Sequence, residues 1–188
     1  MRIFTAILGT ETNTFAPLPT GLAEFEPIEP KPDFKPEDVR HPFGMAVRAM
    51  GHGMKVGIVQ FVKGAMATGE KTVFDAFPEN VEFKPMGEGF TWDTQDRTRD
   101  IASARTAWDE VCRMIADPAY QMVVADELNI VLRYDYLPLD EVLKAFAAKP
   151  EMKHVIVTGR NAPDALIEAA DLVTEMTMIK HPFRSGVK

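Results

Sequence analysis

Apolar residues in this chain fall into short continuous runs, separated by stretches in which they recur at helical spacing. Continuous runs of aliphatic residues predict strands buried on both faces, and the longer periodic stretches predict helices. The predicted strands are residues 2–8, 54–61, 81–83, 122–125, 155–157 and 172–176. The predicted helices are residues 43–50, 94–117, 139–148 and 163–170. This alternation predicts an α/β fold with an open, mostly parallel sheet and helices on both faces.

The longest predicted helix begins at Thr94-Gln95-Asp96 and ends before Pro118. Its apolar and small residues repeat every three or four positions, which predicts one buried face. The members of that face are Ile101, Ala104, Ala107, Trp108, Val111, Met114 and Ile115.

The first part of the chain differs from the rest. Seven of the 14 prolines lie within residues 1–42. Because proline lacks the N–H group that helices and central strands use, we expect an extended, loop-like segment after the first strand. The predicted organisation is therefore an N-terminal strand with a Pro-rich segment over residues 1–41, followed by an α/β domain over residues 42–188.

Composition and charge narrow the class of protein. The 188 residues are 46% hydrophobic and 26% charged, and no apolar run is long enough to span a membrane. The net charge of -7 argues against broad nucleic-acid binding. The single cysteine, Cys112, forms no internal disulfide, and the N-terminus lacks a signal-peptide pattern, so we expect a reducing, cytoplasmic location.

Acidic residues directly follow one of the predicted buried strands. Asp126, Glu127 and Asn129 come after the run 122–125, and ligands of open parallel sheets bind beyond the carboxyl ends of the strands. Carboxylate oxygens are suited to Mg²⁺ and its waters beside a phosphate. The alternative is that the acids cap the next helix, where its dipole favours negative charge. The pattern alone leaves both interpretations open.

Two further loops carry candidate chemistry. Gly159 permits a tight turn after the strand 155–157, and Arg160 can hold a phosphate or carboxylate there or lie on the surface. In the run Gly87–Trp92, Phe90 and Trp92 cover either the core or a flat ligand. The four histidines show no metal-ligand spacing.

Several motifs, in this order, resemble the ATP:corrinoid adenosyltransferases over about residues 44–188. They are Gly51-His52-Gly53-Met54-Lys55-Val56, Val59-Gln60-Phe61-Val62-Lys63-Gly64, Met86-Gly87-Glu88-Gly89-Phe90-Thr91-Trp92, Gln95-Asp96, Asp126-Glu127-Leu128-Asn129, Thr158-Gly159-Arg160-Asn161-Ala162-Pro163, Asp171–Met176 and Lys180–Lys188.

This resemblance implies transfer of the adenosyl group of ATP to the Co(I) of a corrinoid in cobalamin biosynthesis, on a P-loop NTPase-like sheet. It implies a homodimer, a flavoprotein reductant as a further partner, and no side-chain nucleophile, since the cobalt supplies it. Phe90 and Trp92 would shield the lower face of the corrinoid, and Asp126 and Glu127 would lie by the Mg²⁺ of MgATP. The resemblance also assigns Glu127 to the nucleotide itself, together with Gln60, Lys63, Asn129, Arg160, Lys180 and Arg184.

The sequence also departs from that family. The family's first strand leads into a Gly-rich Walker loop that holds the triphosphate, and the pattern G-x-x-x-x-G-K-[ST] does not occur here. The nearest string, residues 64–72, has one residue too many before Lys71. We therefore expect weak ATP affinity and low or absent activity. The alternative is a non-catalytic corrinoid-binding protein or an inactive fusion.

Residues 1–26 carry a different resemblance. The run Met1–Phe15, followed by Pro17–Leu22, is similar to the N-terminus of the microcystin-degrading metallopeptidase family. Together with the adenosyltransferase resemblance, it implies a junction of two genes between about Glu26 and Gly44. From the adenosyltransferase resemblance we also expect a chain that stops early, after the Arg184–Lys188 motif. Residues 2–8 could fill the place of the family's first strand, which would put Gly9–Asn13 where its phosphate loop belongs.

Overall fold

The computed structural model describes residues 4–9, 41–62, 69–87 and 96–176. The strands within these ranges are β1 (Phe4–Gly9), β2 (Val56–Gln60), β3 (Val81–Pro85), β4 (Met122–Asp126), β5 (His154–Gly159) and β6 (Leu172–Met176). The helices are α1 (His41–Gly51), α2 (Gly69–Asp75), α3 (Arg97–Ala116), α4 (Leu128–Arg133), α5 (Leu139–Ala148) and α6 (Asp164–Ala169). Of these described helices, none combines the length and the apolar character needed to cross a membrane.

The strands form one open sheet in the order β3-β2-β4-β5-β1-β6. Every neighbouring pair is parallel, as the alternation of strands and helices predicts. Because all strands run in one direction, β2, β4 and β5 end at the same edge of the sheet. The sequence predicts a ligand at this carboxyl edge.

The central strands bury both of their faces, which explains their continuous apolar sequence. All five residues of β2 and of β4 are buried. Alternate residues enter different cores: Val123 and Ala125 pack with Trp108 of α3, whereas Val124 packs with Phe43 of α1. Helices therefore cover both faces of the sheet, in agreement with the prediction.

Helix α3 confirms the predicted amphipathic face with one correction. Asp96 caps its N-terminus, accepting hydrogen bonds from the backbone N–H groups of Thr98 and Arg99 at 3.1 and 3.2 Å. The predicted core residues from Ala104 to Ile115 are buried. Ile101, however, is 37% exposed. It lines an open cavity of about 510 Å³ together with Leu132 and Pro163, which leaves its side chain partly exposed.

The N-terminal strand lies inside the sheet. β1 pairs in parallel with β5 on one side and with β6 on the other, with Ala6 opposite both Val157 and Val173. Residues 2–8 were a candidate strand from sequence, and the pairing shows where in the sheet this strand lies. The Pro-rich segment that follows lies outside the described residues.

The sequence prediction missed two short helices. Helix α4 begins two residues after β4, and α2 contains Gly69 and Lys71 from the string that resembles a Walker loop. Both helices have fewer than eight residues, which is too short for an apolar period to repeat.

Candidate functional site

Polar side chains from three neighbouring strands meet at the carboxyl edge of the sheet. Gln60 ends β2 and lies opposite Asp126, the last residue of β4, and Thr158 lies near the end of β5. The Gln60 amide Nε2 donates a hydrogen bond of 2.8 Å to Asp126 Oδ2. The Thr158 hydroxyl donates one of 2.7 Å to Asp126 Oδ1. All three side chains are buried, so both carboxylate oxygens of Asp126 are held in place away from bulk water.

Glu127 follows in an uncommon backbone conformation. Its φ of 65° and ψ of 19° lie in the left-handed region, which non-glycine residues rarely adopt. Its backbone N–H donates a 2.9 Å hydrogen bond to Thr158 Oγ1. Glu127 stands at the N-cap position of α4, yet its side chain makes no capping hydrogen bond. The structure therefore does not support the capping interpretation for Glu127.

Asn129 is the most unusual polar residue at this edge. Its side chain is fully buried, and neither its amide nitrogen nor its amide oxygen has a hydrogen-bond partner among the described residues. Buried amides are normally satisfied, because losing water without a replacement bond costs free energy. An unsatisfied buried amide beside the carboxyl ends of parallel strands indicates a place for a polar ligand.

Gly159 explains how Asn129 comes so close to β5. Its φ is +129°, a conformation that other residues rarely adopt, and a Cβ atom at this position would lie 2.8 Å from Asn129 Cβ. The chain bends at residues 160 and 161, directly after this glycine. Arg160 comes directly after it, at the same edge of the sheet, and is exposed.

The segment that contains Phe90 and Trp92 begins beside this site. The backbone N–H of Met86 donates a 2.9 Å hydrogen bond to the carbonyl oxygen of Gln60, and the Ser103 hydroxyl donates one of 3.0 Å to the Met86 carbonyl. The chain thus enters the aromatic segment next to Gln60. The predicted site residues that lie outside the described part of the chain are Lys63, Phe90, Trp92, Lys180 and Arg184.

The donor set suits a magnesium ion held through a nucleotide. Asp126 and Glu127 offer carboxylate oxygens, the ligands that Mg²⁺ prefers, and Mg²⁺ sites commonly use only one or two carboxylates together with water and phosphate oxygens. No group of three or more His, Cys, Asp or Glu side chains in the described ranges could hold a metal ion without further ligands. The two carboxylates match the number that Mg²⁺ commonly takes from a protein when water and other ligands complete its shell.

The main charge cluster of the described residues lies elsewhere, between β3 and α3. Arg113 binds Glu82 and Glu110, at 3.1 and 2.8 Å, and Lys84 binds Glu110 at 3.0 Å. Hydrogen bonds from Arg113 and Lys84 lower the pKa of Glu110. These groups fasten the edge strand β3 to α3, and we assign them no part in ligand binding.

Thr158 is the residue of this site that the sequence prediction missed. It is a hydroxyl residue at the end of a buried apolar strand, next to a glycine. That position could have identified Thr158 as a site residue, because a buried hydroxyl needs a polar partner. The partner, Asp126, is supplied by the neighbouring strand.

An open parallel sheet with helices on both faces makes this an α/β protein, a class whose ligands generally bind at the carboxyl edge of the sheet. The family model for the ATP:corrinoid adenosyltransferases BtuR/CobO/CobP matches residues 41–188. The chain therefore belongs to the ATP:corrinoid adenosyltransferase family. Residues 1–40 lie outside the match.

Individual relatives agree with this assignment. The chain is 58% identical over 146 residues to a corrinoid adenosyltransferase of Pseudomonas aeruginosa, covering 78% of this chain and 72% of the relative. It is 54% identical over 148 residues to that of a Sinorhizobium species, covering 78% and 69%. It is 47% identical over 146 residues to the corrinoid adenosyltransferase CobA of Salmonella typhimurium, covering 78% and 74%.

Proposed function

We propose that this protein transfers the adenosyl group of ATP to the cobalt of a reduced corrinoid. The Co(I) electron pair forms the new bond to the 5′ carbon, the bond from that carbon to the triphosphate oxygen breaks, and triphosphate leaves. The observation that carries the proposal is the pair Asp126 and Glu127 at the end of β4, held by Gln60 and Thr158. The reaction is proposed from family membership, and the carboxyl edge of the sheet is the proposed binding site of the nucleotide.

Asp126 and Glu127 have different roles in binding the Mg²⁺ that accompanies the triphosphate. Both oxygens of Asp126 accept hydrogen bonds from neighbouring side chains, so Asp126 chiefly fixes the local structure and contributes negative charge. Glu127 is less buried and supplies the carboxylate nearer the ion. The ion, when bound, neutralises charge that develops on the triphosphate as it leaves.

Asn129 provides the uncharged contact to the nucleotide in this proposal. Its amide can both donate and accept, and it is fully buried with neither group satisfied by a described residue. Gln60 acts on the nucleotide indirectly, because its amide is already bonded to Asp126. Arg160, with Lys63, Lys180 and Arg184, would balance the charge of the triphosphate.

Phe90 and Trp92 form the corrinoid side of the proposed site. Met86, which precedes their segment, donates a hydrogen bond to the Gln60 carbonyl, and this contact is the support for proposing a corrinoid site near the nucleotide. Aromatic rings against the lower face of the corrinoid would exclude an axial ligand and favour the four-coordinate cobalt that is easier to reduce. A flavoprotein reductant and a homodimeric assembly belong to the same proposal.

The position of β1 bears on the ATP affinity. β1 lies between β5 and β6 and points toward the same edge as β4. We propose that it takes the place of the family's first strand, as part of a gene fusion that brought in residues 1–26. Residues 9–13 then stand in for the phosphate loop, with Gly9 and hydroxyl groups but no lysine, and Glu11 would repel phosphate. Weak ATP affinity follows.

A non-catalytic corrinoid-binding protein is the second candidate. The observation that favours it is the absence of G-x-x-x-x-G-K-[ST] from the sequence. The two candidates differ in their dependence on ATP. The adenosyltransferase binds MgATP, and its corrinoid spectrum changes when MgATP is added. The binding protein shows the same corrinoid spectrum with or without MgATP.

Visible absorbance of added cob(II)alamin, with and without MgATP, tests the proposal. A four-coordinate spectrum in the presence of MgATP supports the adenosyltransferase. Replacing the ring in Trp92→Ala should remove that spectrum while thermal unfolding stays within a few degrees of the wild type. If Trp92→Ala instead unfolds the protein, the ring belongs to the core, and its assignment to the corrinoid is wrong.

A further inference from the structure

We infer that Thr158 is a positioning residue for the magnesium–nucleotide site: its hydroxyl holds the backbone of Glu127 in the conformation that aims the Glu127 carboxylate. The inference has two parts. The nucleotide part, that Glu127 contacts the magnesium–nucleotide complex, rests on the proposed function. The backbone part, that Thr158 holds the backbone of Glu127, rests on the geometry alone.

The Thr158 hydroxyl makes two hydrogen bonds with opposite roles. It donates to Asp126 Oδ1 at 2.7 Å and accepts from the Glu127 N–H at 2.9 Å. A hydroxyl has one donor and two acceptor positions, so it can make both bonds at once. The charged acceptor orients the hydroxyl hydrogen, which leaves a lone pair facing the Glu127 N–H.

Asp126 cannot easily release the hydroxyl, because its other oxygen is also held. Gln60 donates to Asp126 Oδ2 at 2.8 Å from the next strand. The carboxylate is therefore held at both oxygens, and its fixed position in turn fixes the orientation of the Thr158 hydroxyl. Gln60 thus positions Asp126, Asp126 positions the Thr158 hydroxyl, and that hydroxyl holds the Glu127 backbone.

The left-handed conformation of Glu127 needs such support. A non-glycine residue at φ 65° persists where surrounding contacts hold it. The next residue of β5, Gly159, allows the first turn of α4 to lie against the strand, with Asn129 in contact. Thr158 and Gly159 together fix the turn from β4 into α4, which carries both Glu127 and Asn129.

Three variants of the full chain separate positioning from stability. Thr158→Val keeps the shape and removes the hydroxyl, and Thr158→Ser keeps the hydroxyl. Thr106→Val is the matched control, because Thr106 is exposed and its hydroxyl donates to the Ala102 carbonyl of its own helix, at 3.0 Å. Thermal unfolding of all three shows which variants remain folded.

The first readout is the rate of hydrogen exchange of the Glu127 amide, measured by NMR on the protein without ligand. Thr158→Val should speed this exchange by about tenfold or more, because the amide loses its acceptor. Thr158→Ser and Thr106→Val should stay within about threefold of the wild type. An unchanged Glu127 amide in folded Thr158→Val would overturn the inference.

The second readout is calorimetry with ATP, in the presence of Mg²⁺ or of EDTA. Thr158→Val should weaken MgATP binding by about tenfold and leave binding of ATP in EDTA unchanged, since only the ion contact depends on Glu127. Equal MgATP binding by the wild type and Thr158→Val contradicts the nucleotide part. A wild type that binds no MgATP instead overturns the proposed function, and the amide readout then decides the backbone part.

Discussion

Asn129 combines full burial with an amide that no described residue satisfies. A residue kept for packing would be apolar here, since removing an unsatisfied buried polar group is neutral or stabilising. We expect Asn129→Leu to leave the free energy of unfolding unchanged or raise it by about 1 kcal/mol. The same change should weaken MgATP binding by about tenfold or more.

Urea denaturation and calorimetry check the two parts of this prediction. A large loss of stability in Asn129→Leu would show that the folded protein satisfies the amide internally. Full retention of MgATP affinity would remove Asn129 from the nucleotide site.

Lys153 shows how a buried cation serves the fold. Its side chain is 5% exposed, and Nζ donates hydrogen bonds to the carbonyl oxygens of Met114, at 3.0 Å, and Asp117. These groups end α3, where cations offset the helix dipole. We expect Lys153→Met to lower the free energy of unfolding by about 1–3 kcal/mol in urea denaturation.

Lys144 provides the matched control for that variant. It is 78% exposed and pairs with Asp140 one turn earlier on α5. Lys144→Met should change stability by less than about 0.5 kcal/mol. Equal effects of the two substitutions would argue against the capping role of Lys153.

The Lys153 contribution depends on pH in a defined direction. Burial lowers the pKa of Lys153 from its ordinary value of 10.5. Between the lowered and the ordinary pKa, the unfolded chain binds more protons than the folded one, so the stability contributed by this group rises with pH. The difference in free energy of unfolding between the wild type and Lys153→Met should therefore grow as pH approaches the ordinary lysine pKa.

The sequence predicts the strands and the long helices. It does not predict which polar side chains at the strand ends form hydrogen bonds with each other. Asp126 and Glu127 were placed correctly at the end of a buried strand, because apolar runs mark strand ends well. The ligand contact of Gln60 stays a prediction, and the structure adds that its amide donates a hydrogen bond to Asp126. That bond joins residues far apart in sequence, and its partner depends on strand order, which local patterns do not specify.

The contact between β5 and α4 makes its own prediction. At Gly159 a Cβ would lie 2.8 Å from Asn129 Cβ, and the φ of +129° disfavours any side chain. Gly159→Ala should lower the free energy of unfolding by about 2–4 kcal/mol through strain and overlap.

Gly44→Ala is the control for this substitution. Gly44 lies in α1 with nothing within 4 Å of an added Cβ. Because alanine favours helix more than glycine does, this change should raise stability by up to about 1 kcal/mol. Similar losses from both alanine variants would contradict the close approach at Gly159.

β1 lies outside the family match, yet it pairs with β5 and β6 within the sheet. Ala6→Pro removes a backbone donor from a strand with neighbours on both sides. We expect it to lower the free energy of unfolding by more than about 2 kcal/mol. Ala23→Pro, in the segment predicted to be a loop, should have a small effect. If Ala6→Pro unfolds in urea as the wild type does, β1 does not support the sheet.

Single-turnover formation of the adenosyl–cobalt bond tests the account most directly. The purified full chain is mixed with chemically reduced corrinoid and a range of MgATP concentrations, and the product is followed by its absorbance. If this chain is an adenosyltransferase with a weak triphosphate site, product forms, with half-maximal rate at about 1 mM MgATP or above, the weak end of ordinary enzyme values. Corrinoid binding without product at any MgATP concentration would contradict it and leave a non-catalytic corrinoid-binding protein.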